Sequence, residues 1–179
     1  MTKNVSLRKS KTILFLFFFI LNSAQYKVIA KVDLNLDKIN DNVYKDSISN
    51  NFIFEYGKLN HKKKNDSIFF FSNYNKEAGS VNFKIIKNII TVKFTYAPKY
   101  LDHDLLTFTY DKQKKDWFLS NLLSYRTDAL SERLMTEKCH YKVPKKLDFS
   151  FKKNRFDDIQ EKIIDNRKYL SKCSKNYLE

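Results

Sequence analysis

The segment Tyr100-Leu101-Asp102-His103-Asp104, which begins shortly after Pro98, sets carboxylates on both sides of one imidazole. Such a group could bind a cation or orient a general base. Consecutive side chains seldom converge, however, and a polar loop between two hairpins accounts for the same residues. Cys139-His140 offers a second arrangement, in which a neighbouring imidazole would activate a thiol as nucleophile. Basic clusters are the third. His61, Lys62, Lys63 and Lys64 fall in an expected loop, and Lys112, Lys114 and Lys115 fall in an expected hairpin connection. Lys145-Lys146 and Lys152-Lys153 lie farther on. If they converge, these side chains make a positive patch that steers an acidic partner; if they do not, they are solvated turns. The candidate binding residues are therefore His61, Lys62, Lys63, Lys64, Tyr100, Asp102, His103, Lys112, Lys114 and Lys115.

Other chemistries lack their residues. Gly57 and Gly79 are the only glycines, too few for a Gly-rich phosphate cradle or a dinucleotide fingerprint. There is no H-E-x-x-H and no G-x-S-x-G motif. A catalytic zinc usually takes three protein ligands, and the three histidines, His61, His103 and His140, are scattered. We therefore expect no cofactor and no metal.

The N-terminus fixes the compartment. Lys3, Arg8, Lys9 and Lys11 precede the apolar run Ile13 to Leu21, and Asn22-Ser23-Ala24 follows. Basic, then apolar, then small and polar is the order of a secretory signal peptide. The run is shorter than the roughly 20 apolar residues that a spanning helix needs. A signal peptide over 1–24 is expected, with cleavage after Ala24 or instead after Ala30, leaving 31–179 as one exported domain with no stable transmembrane segment. Removing the leader lowers the formal charge from +14 by four, to +10. Strong basicity favours acidic partners. A bias toward A/T-rich codons produces the same composition without one. About 150 residues is the size of one domain, and 16 Phe and 11 Tyr supply core material.

Cys139 and Cys173 are the only cysteines. In an oxidising compartment an even pair is most simply a disulfide.

Two hairpins must carry much of this. Val81, Phe83 and Ile85 alternate with polar residues, as do Ile90, Val92, Phe94 and Tyr96 after Lys87-Asn88. A two-residue turn there sets Ile85 against Ile90, Phe83 against Val92 and Val81 against Phe94. The second hairpin joins Leu106–Tyr110 to Trp117–Leu123. It pairs Tyr110 with Trp117 and Phe108 with Leu119, and sends Phe118 and Leu122 to the other face. Phe52–Tyr56, Ile68–Phe71 and Leu147–Phe151 read as further strands. Phe156, Ile159, Ile163 and Leu170 form one stripe of a C-terminal helix whose end Cys173 would clamp to the body. The expected fold is α+β: a small antiparallel β-sheet of consecutive hairpins with the C-terminal helix packed on one face.

These features suit an exported soluble binding protein without catalytic activity, such as a periplasmic immunity or inhibitor protein that occludes a target protein with an acidic surface. The alternatives are an envelope-polymer hydrolase with a dispersed active site and an anionic glycan- or lipid-binding module. Nucleic acid is disfavoured for an exported chain.

Overall fold

The computed structural model describes residues 26–46, 52–57, 64–68 (backbone only), 79–98, 101–128, 130 and 134–177. The expected leader 1–24 lies outside them, as do His61, Lys62, Lys63, Tyr100 and the side chain of Lys64. Among the described residues, no helix is long and apolar enough to cross a membrane.

The chain forms two antiparallel sheets rather than the single small sheet expected. The first contains β1 (Tyr26–Val32), β2 (Asp41–Asp46), β3 (Phe52–Tyr56) and β4 (Lys64–Ile68) in chain order. The second contains β5 (Gly79–Ile86), β6 (Ile89–Tyr96), β7 (His103–Asp111), β8 (Asp116–Asp128), β9 (Met135–Tyr141) and β10 (Leu170–Tyr177), also in chain order. Each inner face is largely apolar, so each sheet supplies the cover that the other needs. Phe52 meets Phe83 at 3.9 Å between ring centroids, and Phe54 meets Trp117 at 5.2 Å. Phe108 and Phe151 close the same cluster at 4.9 Å. Trp117, Phe52, Phe108 and Phe151 are all fully buried.

The β5–β6 hairpin has the expected register, with Ile85 opposite Ile90, Phe83 opposite Val92 and Val81 opposite Phe94. Its left-handed turn residue is Lys87, at φ 50°. Tyr110 faces Trp117 and Phe108 faces Leu119, again as the pattern predicts. The face assigned to Leu122 needs correction. Phe108 pairs with Leu119 but Thr107 pairs with Asn121, so Ser120 is an extra residue in β8. A bulge of one residue reverses the alternation beyond it. Leu122 consequently points into the core with Leu119, while Phe118 alone turns outward. The Ser120 hydroxyl settles the bulge by donating to the Thr107 carbonyl at 2.9 Å.

The C-terminal helix is shorter than its apolar stripe implied. α1 spans Phe156–Ile159 and runs on as a π-helical turn over Gln160–Ile164. Its entry is fixed by the Arg155 N–H, which donates to the Asp158 carboxylate at 2.8 Å. Phe156, Ile159 and Ile163 are buried as the pattern requires, and Phe156 stacks on Phe94 at 4.2 Å. Asn166 then leaves helical backbone geometry, a single 3₁₀ turn covers Arg167–Tyr169, and β10 begins. Leu170 is therefore an exposed strand residue rather than part of the helical stripe. Cys173 sits in β10 directly opposite Cys139 in β9, and the two form a disulfide. The bridge joins neighbouring strands; it does not clamp a helix end. Between β9 and β10, Phe149 and Phe151 bond to β8 through Leu119 N–H to Phe149 O (2.9 Å) and Phe151 N–H to Trp117 O (2.8 Å).

Gly57, just past β3, is required by close approach. A Cβ there would lie 2.6 Å from the Ile39 side chain and 2.9 Å from the Asn40 carbonyl. Its N–H donates to buried Asp41 at 2.9 Å, and the Leu34 N–H donates to the other Asp41 oxygen at the same distance. Burial still raises the Asp41 carboxyl above its ordinary value.

Candidate functional site

The Asp102-His103-Asp104 group does not converge on one point. β7 is a strand here rather than a loop, and alternation sends adjacent side chains to opposite faces. Asp104 points inward and is fully buried. It accepts a hydrogen bond from the Tyr96 hydroxyl, and Arg126 lies against both of its oxygens. The Arg126 Nη1 contact to Oδ1 is 2.9 Å but is not aligned as a hydrogen bond, so charge alone holds that oxygen. Gln160 of the π-helical turn donates to the Tyr96 oxygen at 2.6 Å, tying the helix to this network. Burial, then the Asp104 charge, pushes the Tyr96 phenol far above its ordinary value, so it stays a donor. Burial works against the Arg126 charge, but Asp104 overrides it and the guanidinium is held more firmly protonated.

Asp102 accepts the Thr127 N–H at 2.6 Å and so fastens the β7 entrance to the end of β8. His103 points outward and stacks on Tyr125 with ring centroids 4.3 Å apart. Its Nδ1 lies 2.9 Å from the Leu101 carbonyl, which can only accept, so the proton sits on Nδ1. Burial lowers the His103 pKa, favouring the neutral ring.

The basic turns are partly brought together. Lys112, Lys114 and Lys115 form the β7–β8 turn, beside the 145–153 segment. Lys114 Nζ grips both Asp148 oxygens at 2.6 and 2.7 Å and lies 4.5 Å over the Phe118 ring. Lys152 Nζ reaches the Lys115 carbonyl at 3.5 Å. Asp148 compensates Lys114, and the Asp111 carboxylate, which caps the turn by accepting from Gln113 and Lys114 N–H, lies within the same cluster. Its charge is therefore mixed.

A less compensated surface lies on the outer face of the six-stranded sheet. Two rows run across all six strands. One is Lys172, His140, Leu123, Leu105, Lys93, Asn82; the other is Ser174, Lys138, Tyr125, His103, Thr95, Ser80. These rows hold three lysines, two histidines and no carboxylate. The flanking rows, Asn176-Thr136-Thr127 and Asn121-Thr107-Thr91-Lys84, add another lysine and no acid. Lys138 Nζ sits 5.6 Å over the Tyr125 ring, so ammonium, phenol and imidazole stack in one line with His103. Lys93, His140, Lys172 and Ser174 are exposed.

Of these residues, His103 was marked from the sequence as a binding candidate, and His140 only as an activator of the Cys139 thiol, which the disulfide now occupies. Lys138, Lys172 and Ser174 were missed, although each flanks a cysteine. Once both cysteines are placed on paired strands, alternation puts all four neighbours on one face. Compared with protein-family models, curated proteins and solved structures, the chain matches none, and its function has to be argued from its own surface.

Proposed function

We propose that the chain is an exported, non-catalytic binding protein whose outer sheet face grips an acidic partner protein. Occlusion of a target, as by an inhibitor or immunity protein, is the most specific form of this role. The observation that carries it is the basic face whose described rows hold no carboxylate: lysines around an aromatic line attract and orient a negative surface. A hydrolytic site is not favoured, because Asp104 is committed to Tyr96 and Arg126 while His103 turns the other way.

Charge reversal tests the face. Lys93→Glu, Lys138→Glu and Lys172→Glu together are expected to weaken capture of an acidic envelope protein by at least about a hundredfold, mainly through slower association. Reversal of Lys112, Lys145 and Lys146 should leave capture within about threefold, since those positions lie off the face. Equal losses from the two sets would reject the assignment. Retention of anionic glycan or vesicles with no protein partner would move it to the glycan or lipid alternative.

Export has its own test. β1 begins at Tyr26, pairs with β2 along its length, and packs Ala30 and Val32 against the core. Cleavage after Ala24 keeps this strand whole, whereas cleavage after Ala30 removes Tyr26 to Ala30. N-terminal sequencing of the protein recovered outside the cytoplasm is expected to start at Gln25. A start at Lys31, or an intact Met1, would contradict this.

A further inference from the structure

We propose that Lys138, His140, Lys172 and Ser174 form a binding site for a tetrahedral oxyanion, phosphate or sulfate in type, kept in register by the disulfide on the opposite side of the strands. It rests on the outer face being the binding surface and gives that face one defined anchor point.

The local sequence builds the site. Lys138-Cys139-His140 lies opposite Lys172-Cys173-Ser174, with Cys139 facing Cys173, His140 facing Lys172 and Lys138 facing Ser174. Alternation sends the two sulfur atoms one way and their four neighbours the other. Same-face neighbours in a strand lie about 7 Å apart, and facing residues about 5 Å apart. The four side chains therefore mark the corners of a small rectangle, and together they line an open concavity of about 240 Å³.

The chemistry is one-sided. Two ammonium groups, a ring nitrogen and a hydroxyl offer donors from four corners, and no carboxylate lies in their rows. Two lysine charges well within a Debye length repel one another, and an anion between them relieves that repulsion. A tetrahedral oxyanion presents oxygens in several directions at once; a carboxylate presents two in one plane and meets fewer corners. The disulfide matters because β10 is an edge strand, largely exposed, with little apolar material to fix its register. A slip of one residue would turn all its side chains over. The covalent bridge forbids that slip.

The test titrates the processed, oxidised protein with sodium phosphate, sulfate and acetate at constant ionic strength, followed by NMR. Saturable one-to-one shifts confined to Lys138, His140, Lys172, Ser174 and their neighbours are expected for phosphate and sulfate, and markedly weaker ones for acetate. Lys138→Gln and Lys172→Gln should each weaken binding about tenfold, the size of one charge-assisted contact, while Lys145→Gln, off the face, leaves it unchanged. Cys139→Ser/Cys173→Ser should weaken it as well; the two lysine variants, neither of them buried, keep the test decisive if that pair fails to fold. Vesicles containing phosphatidic acid identify the source. Sedimentation that depends on Lys138 and Lys172 marks a lipid headgroup, and phosphate binding without sedimentation marks a soluble or polymer-borne group. Unsaturated shifts spread over all basic residues, or equal response to acetate, would overturn the site. Loss of the site with partner capture intact would remove the anchor alone, whereas loss of both would remove the face with it.

Discussion

Arg126→Met should cost about 2–4 kcal/mol of folding stability, because it strands the Asp104 carboxylate in the interior. Asp104 is 0% exposed, and Arg126 Nη1 lies 2.9 Å from its Oδ1. Breaking a fully buried pair costs roughly 3–5 kcal/mol; the figure is lower here because the Arg126 side chain is 39% exposed and partly screened. Denaturant unfolding should show a shifted midpoint with an unchanged slope, and the melting temperature should fall by roughly 5–15 °C. Asp104→Asn in the Arg126→Met background should recover part of the loss, since no charge is then left unpaired. A loss below about 0.5 kcal/mol would mean the pair is solvated, not structural. The same network sets an alkaline limit. Unfolded, Tyr96 ionises near its ordinary 10.0; folded, it resists, because burial and Asp104 raise its pKa. Its contribution is therefore complete below pH 10 and is lost as pH rises beyond that value. Tyr96→Phe should flatten that decline.

Removing the disulfide is the second large effect. Cys139 and Cys173 are separated by 34 positions, a loop whose closure stabilises the fold by about 3–4 kcal/mol on the chain-entropy model. Cys139→Ser/Cys173→Ser should lower stability by that amount, and the damage should be local at first. β10 is an exposed edge strand held by β9 alone, so its amides should exchange fastest, with β6 to β8 still protected. Uniform acceleration across the sheet would show instead that the bridge stabilises the whole domain at once.

Hydrophobic alternation explains which elements were readable in advance. The β5–β6 register was readable because Val81, Phe83 and Ile85 each meet an apolar partner, and every slipped register would expose them. β3 was readable for the same reason, with Phe52, Phe54 and Tyr56 all buried. β9 and β10 were not. Met135–Tyr141 and Leu170–Tyr177 are mostly polar, with one buried residue between them, so they are strands by virtue of their ladder and their bridge. Helical periodicity ran past Ile163 to Leu170 because one further apolar residue happened to match the stripe; only the break at Asn166 ended it. The Ser120 bulge was hidden because its stabilising contact, a hydroxyl on the Thr107 carbonyl, lies across the sheet rather than along the chain. The candidate site suffered most from these misses. Its residues belong to polar strands whose pairing had to be known before their shared face could be seen.

Strand order in both sheets repeats chain order, so within each sheet nearly every strand meets its predecessor over a short connection. Closing such loops costs little entropy, and assembly that proceeds neighbour by neighbour keeps contacts local. The excursion between β9 and β10 is the exception. It lays Phe149 and Phe151 against β8 and Phe156 against Phe94 between the two strands that the disulfide joins. The disulfide thus ties together the two ends of the one long detour in this sheet, so its reduction loosens an outlying strand while the interior keeps its filling.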